Sequence, residues 1–172
     1  NYRFQAVGSG ATRVAFSPRL SVLLPTGSHE RGRGAGSGSL QLNLPLSLVL
    51  ADRLVAHSNA GLTWTGSAKD AAGDEAEASA VNLGQSLIWL AHPRFNVMLE
   101  LSSLHLQGVV GPGRTEWTDS LLLSPGVRWA WNFESGLQVV PGVAVPIGIG
   151  PSSGEVGVFA YLSFEHPFGK RR

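Results

Sequence analysis

The chain has 172 residues, of which 43% are hydrophobic and 15% charged, with a formal net charge of +1. That length fits one domain, the apolar content excludes a disordered chain, and the near-neutral charge, with no basic stripe, gives no ground for nucleic acid as a partner. No apolar run approaches the roughly 18 residues of a membrane helix, so a membrane protein of this composition must cross as strands. Cysteine is absent, which excludes disulfides and thiolate metal sites within this sequence.

Residues 1–8 (NYRFQAVG) read as a partial strand, with Ser9-Gly10 as a tight turn. Residues 12–24 alternate, with Val14, Phe16, Pro18, Leu20, Val22 and Leu24 opposite Arg13, Ala15, Ser17, Arg19, Ser21 and Leu23. A glycine-rich, charged outer loop is expected at 25–38. Residues 39–51 (SLQLNLPLSLVLA) carry the clearest signal: every even position from Leu40 to Leu50 is leucine, against Ser39, Gln41, Asn43, Pro45, Ser47 and Val49. Successive side chains of a strand point to opposite faces, so this run has one apolar and one small, polar face; a helix would scatter the leucines around its circumference. Alternation over a dozen residues exceeds the five or six of a globular strand and fits the roughly 9–11 of a tilted transmembrane strand.

A short turn at 52–53 leads into 54–65, with His57, Asn59, Thr63 and Thr65 opposite Ala56, Ala60, Leu62 and Trp64. A second long loop is expected at 66–78. Val81, Leu83, Leu87 and Trp89 then oppose Asn82, Gly84 and Ser86, and a short turn at 93–94 leads to Phe95, Val97, Leu99 and Leu101 opposite Asn96, Glu100 and Ser102. Alternation blurs after Ser103, and a third loop is expected near 108–118. Residues 121–133 present Trp129, Trp131 and Phe133 on the apolar side and Arg128 on the other, followed by a short turn at 134–136. Two further strands close the sequence before a solvated tail at 169–172, the last with Phe164 and Phe168 on its apolar face and Glu165 on the other.

Connections that alternate long and short are those of an antiparallel outer-membrane β-barrel, with long loops outside and tight turns in the periplasm. The charges within strands (Arg13, Arg19, Glu100, Arg128 and Glu165) fall on the polar face, which makes them lumen-facing candidates together with His57 and Asn59. Trp89, Phe95, Trp131, Phe133, Phe164 and Phe168 gather near the short-turn ends as an interfacial girdle would, and Trp64 marks the other end. In a soluble barrel or sandwich the second face would carry many Lys and Glu; here it carries Ser, Gly, Asn, Gln and Thr. Prolines 18, 45, 125, 141 and 146 each delete a ladder hydrogen bond, so bulges or irregular pairing are expected there. Because bacterial barrels begin and end inside, the order of connections predicts roughly eight full strands, a partial one, and at least one strand preceding residue 1.

Three stretches also carry a resemblance: PRLSVLLPTG (18–27), LSPGVRWAWNFESGLQVVPGVAVPIGIGPSSGE (123–155) and YLSFEHPF (161–168). They resemble the outer-membrane family named for transporters of the MetA pathway of phenol degradation, and the similarity covers nearly the whole chain. The resemblance implies a bacterial outer-membrane barrel, a lipid bilayer around it, and passage of small, often aromatic solutes. Phe168 resembles the terminal aromatic read by the barrel-assembly machinery, although His166 stands where an apolar residue is usual and a Gly-Lys-Arg-Arg tail follows.

The expected function is therefore a passive, porin-like channel without cofactor, metal or catalytic residues. A structural or adhesive barrel is the alternative, and an outer-membrane lipid hydrolase a distant third. The third rests on His57-Ser58-Asn59, similar to the His-x-Ser-Asn of lipid A deacylases but lacking the intervening residue. Neighbouring strand residues point to opposite faces, so His57 and Ser58 could not share a proton.

Overall fold

The structure, a computed structural model, describes residues 1–9 and 11–166. Thirteen strands form one antiparallel sheet. They are β1 (Tyr2–Arg3), β2 (Val14–Phe16), β3 (Arg19–Leu23), β4 (Ser39–Asn43), β5 (Leu46–Ala51), β6 (Leu54–Lys69), β7 (Glu75–His92), β8 (Phe95–Gly111), β9 (Arg114–Trp129), β10 (Trp131–Asn132), β11 (Gln138–Ala144), β12 (Ile147–Gly148) and β13 (Phe159–Glu165). Each long strand pairs with the next in sequence, from β6 through β9, and the sheet is bounded by β1 on one side and β13 on the other. Among the described residues, no pairing joins those two margins.

Several of the strands are halves of one line. Proline cannot donate to the ladder, and Pro18, Pro45 and Pro146 fall in the gaps between β2 and β3, β4 and β5, and β11 and β12. Two gaps lie side by side, since Ser17 N donates to Pro45 O at 3.1 Å. Pro125 and Pro141 differ from expectation: they stay inside β9 and β11, opposite Leu99 and Leu162. The segment 1–8 is partly strand, with β1 against β3 and Val7 bridged to Phe16.

Register fixes the faces, because directly opposed residues share one. Leu20, Leu42, Leu62 and Val81 lie in one row on the apolar face, and Leu87, Leu99 and Pro125 in another. Among the described residues this face has no second layer over it: Leu20 is 52% exposed, Leu62 51%, Leu83 54% and Trp89 54%. The buried apolar residues among those described are small or few, namely Ala56, Ala68, Ala76, Ala78 and Ile88.

Two expected loops are corrected by the strand ends. The connection at 66–78 shrinks, because β6 runs on to Lys69 and β7 begins at Glu75. The loop near 108–118 is a tight turn at Pro112-Gly113, where Gly113 has φ 65°, between β8 and β9. Both regions are polar yet extended, since their strands carry polar residues on the face that is apolar lower down. The loop at 25–38 remains a loop, tied down by Lys69 N donating to Ala35 O at 2.9 Å and by His29 Nδ1 against Asp70 O at 2.9 Å.

Candidate functional site

The polar face is built by the pleat of β3 to β9, and its side chains fall into rows set by register. One row runs Arg3, Arg19, Asn43, Gly61, Asn82 and Leu104; a second runs Ser47, His57, Ser86, Glu100 and Ser124. Both depend on small residues. At Gly61 an added Cβ would lie 2.3 Å from Asn82 Oδ1 and 2.4 Å from Asn43 Oδ1, so this glycine makes room for two amides.

Those amides form a network. Asn43 is 4% exposed; its Oδ1 accepts from Asn59 at 3.0 Å and from Asn82 at 3.4 Å, and its Nδ2 donates to Gln41 at 2.8 Å. Gln41 in turn donates to Thr63 at 3.0 Å. Buried amides are costly unless satisfied, and here each satisfies its neighbour. Asn59 is thus part of a wall.

His57 is the hinge of the second row. Its Nδ1 lies 2.8 Å from Ser47 Oγ on the neighbouring strand, while Ser58 points to the other face and donates to Gln85 at 2.5 Å. The adjacent His57-Ser58 pair therefore shares no site. Ser86 follows, 9% exposed, with its hydroxyl lacking a hydrogen-bond partner among the described residues.

Glu100 and Arg128 line a cavity of about 300 Å³ with Met98, Ser124, Phe159 and Tyr161. Arg128, Tyr161 and Glu165 line a second, of about 220 Å³, toward the short turns. In the amide orientation that satisfies both of its groups, Asn96 accepts from Arg128 Nε at 3.1 Å and donates to Phe95 O at 3.2 Å. Of the other sequence-predicted residues, Arg19 is paired with Asn43 in β4 and Arg13 sits beside Val49, whose N donates to Arg13 O at 2.8 Å. Both arginines are exposed. The predicted residues are not one cluster: Arg13 and Arg19 lie near the β1 margin, and Glu100, Arg128 and Glu165 on the β8 to β13 side.

On the apolar face, Trp64, Trp89, Phe95, Trp131, Phe133 and Phe164 are all exposed, and Phe168 lies outside the described residues. Sequence reasoning missed Trp117, which stacks on His105 at a centroid distance of 4.0 Å; His105 Nδ1 is paired with Asp119. Trp64 Nε1 donates to Glu77 at 3.0 Å on the same face. Continuing the odd-number phase of β9 from Trp129 back through Leu121 to Trp117 would have found it. Beyond this level the faces exchange character: Ser79, Glu77, Gln107 and Asp119 stand on the face that is apolar lower down, and Leu104, Leu106, Ala78 and Ala80 on the other.

At the tip of β6 and β7, Lys69 Nζ lies 2.7 Å from Glu75, and Ser67 donates to the same carboxylate at 2.5 Å. The Lys69 hydrogen bond, then that of Ser67, holds the Glu75 carboxyl below its ordinary range. No family model, no curated protein and no solved structure matches the chain.

Proposed function

We propose that the chain is the wall of an outer-membrane β-barrel that passes small solutes passively along its polar face. The observation that carries this reading is an uncovered apolar face bounded at both ends by tryptophan. Trp64 stands opposite Ser79, and Trp89 lies ten residues further along β7. Ten residues at about 3.4 Å each, tilted by roughly 35–45°, give a height of about 24–28 Å, which matches the apolar band of about 25 Å in outer-membrane barrels. A soluble protein exposing so many leucines would associate through them.

The mixed polar lining, with Glu100 and Arg128 beside Phe159 and Tyr161, suits small solutes that carry both a ring and a polar group. That agrees with the resemblance to the phenol-degradation transporter family. A structural barrel without transport is favoured by one observation, the amide network around Asn43, which fills space on the polar face instead of leaving a path.

Two measurements test the reading. Detergent-extracted protein should migrate faster before boiling than after, as folded barrels do, and in planar bilayers it should conduct above the empty-membrane background. Heat-modifiable protein without conductance would leave the structural barrel; protein that is soluble without detergent would overturn both.

A further inference from the structure

We propose that Arg3 and Arg19 form a binding site for an oxyanion, the carboxylate or phosphate group of a small solute. The register places the two arginines directly opposite one another on β1 and β3, on the polar face. Like charges opposed across an antiparallel pair destabilise it unless something neutralises them. The row that continues from them is neutral, running through Asn43, Gly61 and Asn82. The carboxylate of Glu100 is on β8, four strand spacings from β3 through β4, β6 and β7. At about 4.8 Å per strand that is roughly 19 Å, beyond the screening length of physiological salt.

Arg3 is also held in position. Arg3 Nη2 donates to Ser17 Oγ at 3.2 Å, Ser17 is 2% exposed, and its hydroxyl donates to Gln5 Oε1 at 2.8 Å. Gln5 Nε2 is fixed in turn on Val7 O at 2.8 Å. A guanidinium has five donors, and Ser17 engages one of those on Arg3. Neither arginine has an ion pair with a carboxylate among the described residues. Two planar forks on directly opposed residues, that of Arg3 buttressed by Ser17, can together present the parallel N–H donors that a carboxylate or phosphate accepts bidentately. The site deepens the channel reading by naming the charged group a solute would present, yet binding needs only that this face meet water.

The test uses the folded protein in detergent at low, constant ionic strength. Inorganic phosphate and acetate are titrated separately, with unfolding midpoint and isothermal titration as readouts. Wild type should gain stability with at least one of them. Arg19→Gln should start more stable than wild type in the absence of anion, because one of two opposed charges is gone, and should bind at least tenfold more weakly. Arg19→Lys keeps the charge but loses the fork, so it should keep the low starting stability and lose most of the binding. Arg31→Gln, in the loop at 25–38, should behave as wild type. Tighter binding of acetate would assign a carboxylate, and tighter binding of phosphate a phosphate group. Equal anion response in wild type and Arg19→Gln, or an Arg19→Gln protein less stable than wild type at low salt, would overturn the site. Binding without conductance would retain it and discard the channel; conductance without Arg19-dependent binding would do the reverse.

Discussion

Gly61 shows how tightly a single residue can be specified on this sheet. A methyl group there would collide with the oxygens of both Asn43 and Asn82, whereas Gly84 has nothing within 4 Å of the same position. Gly61→Ala should therefore lower stability by about 1–3 kcal/mol in urea unfolding, the usual cost of overpacking, and Gly84→Ala should lie near neutral. Faces can be tested in the same way. Leu44, 39% exposed, lies in the gap between β4 and β5, where its N still donates to Ala60 O at 2.8 Å, so in the proposed barrel Leu44→Arg should cost about 2–4 kcal/mol and reduce the assembled, heat-modifiable fraction. The alternation makes Asn43 the natural polar-face control, but the amide network buries it. Ser102, exposed on the polar face opposite Gly84, is the appropriate one, and Ser102→Arg should assemble normally.

At the scale of elements, the proposed barrel puts the tip of β6 and β7 beyond Trp64, where water and pH reach it. Glu75 binds its proton less readily in the folded tip than in an unfolded chain, because Lys69 and then Ser67 hydrogen-bond its ionised form. Its contribution to the tip is complete above the ordinary carboxylate range, about 4.3, and is lost as pH falls through the lowered folded value. Amide exchange in residues 69–75, corrected for intrinsic rates, should then rise as pH drops below about 4 in wild type and lose that dependence in Lys69→Met. The same tip marks the limit of what the sequence discloses. Where one face is uniformly leucine, as from Leu40 to Leu50, pleat and faces are legible from alternation alone. Past Leu62 and Ser103 the polarity of the faces exchanges, so Lys69 and Glu75, within the loop expected at 66–78, and Arg114 and Glu116, within that expected near 108–118, look like loop residues although their backbones remain in strands. Proline was half legible: its missing donor breaks the line at Pro18, Pro45 and Pro146, while Pro125 and Pro141 are carried by the pairing around them. The cross-strand partners, Ser47 for His57 and Arg3 for Arg19, depend on register and are invisible in any one strand.

For the molecule as a whole, the two ends of the sheet differ, and in the proposed outer-membrane barrel that difference gives an orientation. Trp89, Phe95, Trp131 and Phe133 crowd the end bearing the turns at 52–53, 93–94 and 134–136, whereas the other end carries the long connection at 25–38, the strand extensions and the polar outer-face residues. Strands that rise past the membrane boundary into water belong outside the cell, and short turns belong in the periplasm. The sequence contains no cysteine, so one introduced thiol reports one position. Ala72→Cys lies between β6 and β7 at the extended end, and Arg53→Cys lies in the turn between β5 and β6; both positions are exposed. In intact cells a membrane-impermeant maleimide should label Ala72→Cys at once and Arg53→Cys only after the outer membrane is permeabilised. Labelling in the opposite order would invert the barrel, and equal labelling of both before permeabilisation would place the apolar face somewhere other than a bilayer.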